Sequence, residues 1–289
     1  MEAGVQMKVI FSRKGFDSSY GGTPSPIFPD GRMVALPIPD RCAKVRFNEI
    51  RWQEFNLGEL AMALTKGKVK DCFYAHLDPD LREGALARTR GWRPCFGQEG
   101  SAQGHLKGKD IGRGDLFLFF GWFKEVEQVD GGLRYRKTPD LHVLWGWLLI
   151  DEVLGADILK NSPPPWAKDH PHVAHAEDRA NKGNTLYVAA ETLASLGLPK
   201  IKGGGVFNKF KPSLQLTAPG RTARMWKLPR WFYPENQEQA LSYHTDYQRW
   251  EKHKDHVVLK SAAPGQEFVL DSMFYPELEK WLKDLFSGE

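Results

Sequence analysis

Lys8 to Gly31 read KVIFSRKGFDSSYGGTPSPIFPDG, a short apolar run followed by a long polar loop. Val9-Ile10-Phe11 has the length and character of a buried strand. It opens into Ser12, Arg13, Lys14, Gly15, Phe16, Asp17, Ser18, Ser19, Tyr20 and the Gly21-Gly22 pair. Arg13 and Lys14 suit phosphate, and glycines let backbone N–H groups approach it. Ser18 and Ser19 add hydroxyls, and Asp17 adds a carboxylate. The plain alternative is a loop held by its own side chains through Asx and Ser/Thr turns. Neither a Walker loop nor a G-x-G-x-x-G fingerprint is present, so nucleoside-triphosphate hydrolysis and NAD binding have no direct support.

Outward from this stretch, Pro29-Asp30-Gly31 is a turn signal, and Arg32 to Ile38 reads as a short strand ended by Pro37 and Pro39. Leu57 to Lys66 carries apolar positions at helical spacing, with Asn56 as N-cap and Gly67 as stop. Cys72 to Ala75 reads as a second buried strand. Strand, excursion, helix, strand is the order of a βαβ-like unit with its strands parallel. Ligands of such sheets bind beyond the carboxyl ends of the strands. The 13–19 loop and His76-Leu77-Asp78-Pro79-Asp80 would converge there.

Residues 92–106 look irregular and Gly-rich, a lid or binding loop. Asp115 to Phe123 (DLFLFFGWF) and Leu141 to Val153 (LHVLWGWLLIDEV) form an aromatic antiparallel pair, joined by a polar ribbon. Their continuous apolar character means burial on both faces, or passage through a barrel wall. The Asn161–Trp166 run, NSPPPW, is the candidate internal boundary. Strands follow at Thr185–Ala189, Leu214–Leu216, Met225–Leu228 and Glu267–Asp271, then an amphipathic helix from Pro276 to Phe286. The fold class expected is mixed α/β (α+β). It is one large domain whose mixed sheet starts from the βαβ-like unit and includes the barrel-like aromatic pair.

With 289 residues the chain can bury a sizeable core. Its formal net charge of +4 permits a nucleic-acid partner without requiring one. Basic residues cluster at Lys200-Lys202, Lys209-Lys211 and Arg221-Arg224-Lys227-Arg230, a phosphate-tracking surface or a solvated face. Cys42, Cys72 and Cys95 show no C-x-x-C spacing, against a disulfide framework or a cysteine zinc site. No signal segment and no spanning apolar run is read, so a cytoplasmic protein with no membrane partner is expected. Met1 to Gln6 reads as a short leader.

Three constellations could carry chemistry. Asp17 with Arg13, Lys14, Ser18 and Ser19 is the first. His76, Asp78 and Asp80 are the second, as metal ligands or as a base with its orienter. Asp78 or Asp80 could equally cap the turn before Leu81. His170 and His172 are the third: H-x-H on an extended segment points both rings to one side. With Asp78 or Asp17 they would make a 2-His-1-carboxylate face for a divalent metal, iron or zinc. They could also stand idle in an exposed loop. Gln98 and Glu99, His105, Asp151-Glu152, Tyr243-His244 with Arg249, and Gln266-Glu267 with Asp271 are a looser scatter. Of these Gln98 joins the substrate-binding candidates, as do Trp122 and Trp147 for stacking on a base.

The chain resembles the third family of nucleotide-modification-associated domains of bacteria and phages. The likeness rests on SRKGFDSSYGGTPSPIFPDG at 12–31, LPIP at 36–39, HLDPDL at 76–81, FGQ at 96–98 and GDLFLFFGWF at 114–123. GWLLIDEV at 146–153, HPH at 170–172, NTLYVA at 184–189 and GQEFVLD at 265–271 continue it. The resemblance implies a link with DNA-base modification and adds weight to Arg13, Lys14, Asp17, Ser18, His76, Asp78 and Asp80. It assigns them no roles. The aromatic pair is also similar to small β-barrels of the PUA-like group.

Three readings follow. The first is an enzyme acting on a nucleobase or nucleotide, with Asp17, His76 and Asp78 catalytic. The second is a reader that binds a modified base without changing it. The third is a non-haem iron oxidase acting on a small or peptide substrate.

Overall fold

The computed structural model describes residues 7–130, 132–262 and 267–287. The leader expected at 1–6 and the candidate Gln266 lie outside them. The framework is one mixed sheet, as expected. In chain order its main strands are β1 (Lys8–Arg13), β2 (Cys95–Gln98), β3 (Leu116–Val129), β4 (Leu141–Gly155), β5 (Thr185–Ala189) and β6 (Glu267–Asp271). They lie in the order β6-β1-β3-β4-β5-β2. β1 runs parallel to β3, and every other neighbouring pair on this path is antiparallel. The sheet takes strands from both sides of the Pro-rich 161–166 connection. Among the described residues no helix is long and apolar enough to cross a membrane.

The aromatic strands are continuous because each face of the sheet packs its own core. Phe117 and Phe119 of β3 meet Phe96 of β2 at 4.9 and 5.1 Å. Phe120, on the opposite face, meets Trp226 at 4.9 Å edge-on. The sheet also curls until its two outer strands touch. Gln98 at the end of β2 donates from Nε2 to Glu267 Oε1 of β6 at 2.5 Å. No backbone ladder joins β2 to β6 among the described residues, so the barrel-like expectation is corrected: the sheet curls but does not close.

The βαβ-like start takes a different form from the one expected. The helix forms as read, α1 (Leu57–Leu64), with Asn56 Oδ1 accepting from the Gly58 and Glu59 amides. The strand after it shrinks to Ala75–His76, which pairs antiparallel with Ile38–Pro39 outside the main sheet. Cys72 and Phe73 are exposed, so that apolar run is not a buried strand. The parallel neighbour of β1 is instead β3, a hundred residues further along the chain.

The opening loop leaves and returns to one edge of β3. β1 pairs with Leu116–Phe120, and Ser25–Ile27 pairs parallel with Phe123–Glu125. Phe16 and Phe28 anchor the excursion in a second core with Phe47, Trp52 and α1. Two elements were not legible as such. The Gly-rich 92–106 stretch forms β2 and α2 (Gly100–Gly108). The closing helix, α4 below, begins two residues later than expected, at Leu278, and runs to Phe286.

Candidate metal centre

The segment after Ala75–His76 runs along the free edge of β2. Asp80 and Cys95 exchange both backbone hydrogen bonds, at 2.9 and 3.0 Å. Two residues back in the same antiparallel register, Asp78 faces Gly97, and Asp78 Oδ1 accepts the Gly97 amide at 2.8 Å. α3 (Pro171–Ala174) lies against β2, with Pro171 at its first turn and His170 as its N-cap. Its residue His172 lies over Gly97. Glycine is required there: a Cβ would stand 2.2 Å from the His172 Cγ.

These elements bring His76, Asp78, His170 and His172 together. Asp78 Oδ1 also meets His170 Nε2 at 3.2 Å. Asp78 Oδ2 lies 3.6 Å from His76 Nε2 and 3.6 Å from His172 Nε2. One ligand atom each from His76, Asp78 and His172 lies within 4.8 Å of the others.

The outer partners assign the ring protons. Asn184 Nδ2 donates to the His172 carbonyl at 2.8 Å, which turns its Oδ1 toward His172 Nδ1 at 2.6 Å. His172 Nδ1 therefore carries the hydrogen, and Nε2 points its lone pair at the centre. His76 Nδ1 meets Asp40 Oδ2 at 2.8 Å and donates in the same way. A ligating histidine is usually held like this, by an oxygen on its far nitrogen. His170 is reversed. Its Nδ1 accepts the His172 amide at 3.3 Å, so Nε2 carries the hydrogen toward Asp78 Oδ1. Oδ1 thus faces two donors, which leaves Oδ2 for the centre.

The charges agree with this division. Burial pushes the His172 pKa down to about 3, against the pull of Asp78, so the ring is neutral at neutral pH. Burial alone would raise the pKa of Asp78. The hydrogen bonds from His170 and His76 outweigh it and hold the carboxyl well below its ordinary range. The hydrogen bond from His76 lowers Asp40 to about 2. Burial disfavours the His76 cation, but Asp40 and Asp78 more than offset that and raise its pKa.

The remaining candidates lie elsewhere. Asp17 Oδ1 accepts the amides of Ser19 and Tyr20 at 2.7 and 2.6 Å, an Asx turn within its own loop. Ser18 and Ser19 are exposed. Arg13 is partly buried near Asp17 and Arg224, and its desolvation lowers its pKa. Lys14 Nζ pairs with Glu267 at 3.3 Å and stands 4.6 Å over the Phe96 ring. Gln98 serves the seam with Glu267. Asp80 is gripped on both oxygens by Arg88, at 2.7 and 2.6 Å. Trp122 is half-buried on β3, opposite His142. Trp147 is built into the core against Phe207 and Phe286, its indole N–H donating to the Lys202 carbonyl at 2.9 Å. It offers no face to a base.

The H-x-H geometry is also not the one expected. The pair begins a short helix, so the rings divide between the two oxygens of Asp78 rather than facing one ion together. Asp40, Gly97 and Asn184 were not singled out from the sequence. Gly97 and Asn184 do fall within the FGQ and NTLYVA stretches.

Residues 8–271 match the family model described as nucleotide modification associated domain 3. No curated protein and no solved structure matches the chain. The chain belongs to the nucleotide modification associated domain 3 family.

Proposed function

We propose that this member of the nucleotide modification associated domain 3 family is a metal-dependent enzyme acting on a nucleotide or nucleobase. His76, Asp78 and His172 would hold one divalent cation, zinc or iron. One observation carries this reading: two histidines whose outer nitrogens donate to oxygens turn their Nε2 atoms toward one carboxylate oxygen. Two histidines and one carboxylate suit a catalytic zinc or a non-haem iron, and leave positions open for water or substrate. Bound there, the cation would supply Lewis acidity and an activated oxygen ligand.

The chain's own residues do the rest. Asp40 and Asn184 fix the two ring orientations by accepting from their Nδ1–H groups. His170 and the Gly97 amide hold the Asp78 carboxylate so that one oxygen remains free. Arg179 lies 4.0 Å from Asp40 and 2.8 Å from Glu99, tying that carboxylate into an ion-pair network at the rim. A base reader would need exposed aromatic faces. Phe117, Phe119 and Phe120 of the aromatic strands are core and offer no stacking face to a base.

The test has two parts. Protein purified without added metal is analysed for bound zinc and iron beside H172A, and nucleoside profiles of cells expressing wild type or D78N are compared. Near-stoichiometric metal in the wild type, reduced in H172A, with a new nucleoside lost in D78N, is expected. Absence of metal binding, even on titration, removes the metal centre. Identical nucleoside and nucleotide profiles remove the enzyme.

A further inference from the structure

A small cavity lies along the 77–82 segment that carries Asp78. Its walls include Gly15 from the opening loop, Leu36, Asp78, Leu81, Arg82 and Trp145 of β4. Its volume is about 30 Å³. At roughly 10–15 Å³ for each water-sized centre it holds two or three such groups, far less than a nucleobase needs.

Two groups on its walls lack partners. The Trp145 indole Nε1 is buried with no hydrogen-bond acceptor. The Arg82 guanidinium has no hydrogen-bond or ion-pair acceptor among the described residues; Asp80, whose charge acts on it, is occupied on both oxygens by Arg88. Burial lowers the Arg82 pKa to about 10, with Asp80 pulling it up and Arg88 pushing it down. Buried polar groups in folded proteins are nearly always paired, and an exception needs a reason. The Trp145 N–H is such an exception; Arg82 is half-buried, and the two donors line one small space beside the segment that carries Asp78.

We infer that this cavity is an oxyanion subsite in which Arg82 and Trp145 receive two oxygens of a phosphoryl group of the nucleotide substrate beside Asp78. Arginine presents donors in a planar fork that fits phosphate oxygens. The subsite deepens the reading above and depends on it only for the neighbouring cation. It also gives Gly15 a place in the site, on the cavity wall rather than through Asp17.

The test is calorimetric titration of the intact protein with inorganic phosphate, a deoxynucleoside 5′-monophosphate and an oligonucleotide lacking terminal phosphates. The variants are R82Q, R82K, W145F and H172A. Expected is a monophosphate affinity about tenfold or more weaker in R82Q, partly restored in R82K, the range of a charge-assisted hydrogen bond. W145F removes the N–H and keeps the ring, and should weaken binding several-fold. H172A should lose metal and keep phosphate binding, so failure of the metal reading and failure of this one are separable. Arg82-dependent binding of the monophosphate alone makes the source a free nucleotide; equal Arg82-dependent binding of the oligonucleotide makes it the polymer backbone. If R82Q does not fold, W145F decides. Phosphate and monophosphate affinities equal to wild type in the folded variants overturn the subsite.

Discussion

Gly97 leaves no room for a side chain beneath His172: a Cβ there would stand 2.2 Å from the imidazole Cγ. G97A must therefore displace the ring or the strand. The cost expected is about 1–3 kcal/mol of stability, the range for overpacking a tight site. With His172 as a ligand of the proposed cation, that displacement should also weaken zinc binding more than tenfold. Thermal melts with and without zinc read both effects. A variant that binds metal as tightly as wild type would show that His172 is not a ligand.

The partners behind the ligands should matter nearly as much as the ligands. D40A removes the oxygen that receives His76 Nδ1–H, and N184A removes the group that fixes the His172 ring. Each should cost about 10–100-fold in metal affinity while the fold survives. Competition with a chromogenic chelator measures this, and affinities unchanged in both variants would refute the proton assignment.

Asp80 and Arg88 form a buried two-point ion pair, with Trp92 Nε1 3.3 Å from the same carboxylate. R88A leaves Asp80 uncompensated and should destabilise the protein by about 3–5 kcal/mol. The double change D80N/R88Q should recover part of that loss. Urea unfolding of both variants tests it; a single variant as stable as wild type would mean that the pair is not buried in solution.

Trp147 should behave as core. W147F keeps most of the packing against Phe207 and Phe286 and loses the hydrogen bond to the Lys202 carbonyl, costing about 1 kcal/mol. Nucleotide affinity should not change. A large loss of affinity with stability intact would return Trp147 to the substrate site.

Acid should unfold the protein partly through two neutral histidines outside the proposed metal centre. Burial and the charges of Arg13 and Arg224 push His142 down to about 3, while its Nδ1 accepts the Trp226 indole N–H at 3.0 Å. Burial holds His244 at about 4. Both folded pKa values lie below the ordinary unfolded value near 6.5, so the unfolded chain binds more protons between them. Their contribution is complete above about pH 6.5 and is lost as pH falls toward 4 and 3. The slope is at most about 1.4 kcal/mol per pH unit for each histidine. Urea midpoints from pH 7 to 4 should fall, and more gently in H142N. An unchanged slope in that variant would exclude His142 from acid unfolding.

The strands that build the sheet were mostly legible. Phe117 to Phe123 and Leu148 to Ile150 are apolar without alternation, and such runs are buried on both faces wherever the chain takes them. α1 was legible from Asn56 and its spacing. β2 and α2 were not. Phe96-Gly97-Gln98 is too short and α2 too rich in glycine for local preference to fix either; Tyr187 meeting Gln103 and the burial of Leu106 do so. The candidate site shows the same division. His76, Asp78 and His172 were marked by residue type and spacing, but so was Asp17, which spends its carboxylate on its own turn.

By itself the sequence determined the mixed class, the aromatic core strands and a short set of chemically capable residues. These depend on composition and on neighbours within a few positions. Only the tertiary structure decided which of those residues meet. The register of Asp80 on Cys95 sets Asp78 beside Gly97, and the bare glycine lets His172 approach from α3, some ninety residues further along the chain. The opening loop, read first as the place of chemistry, keeps Asp17 apart and lends Gly15 to the wall beside Asp78. Contacts between distant segments follow from packing and register, which no local pattern encodes.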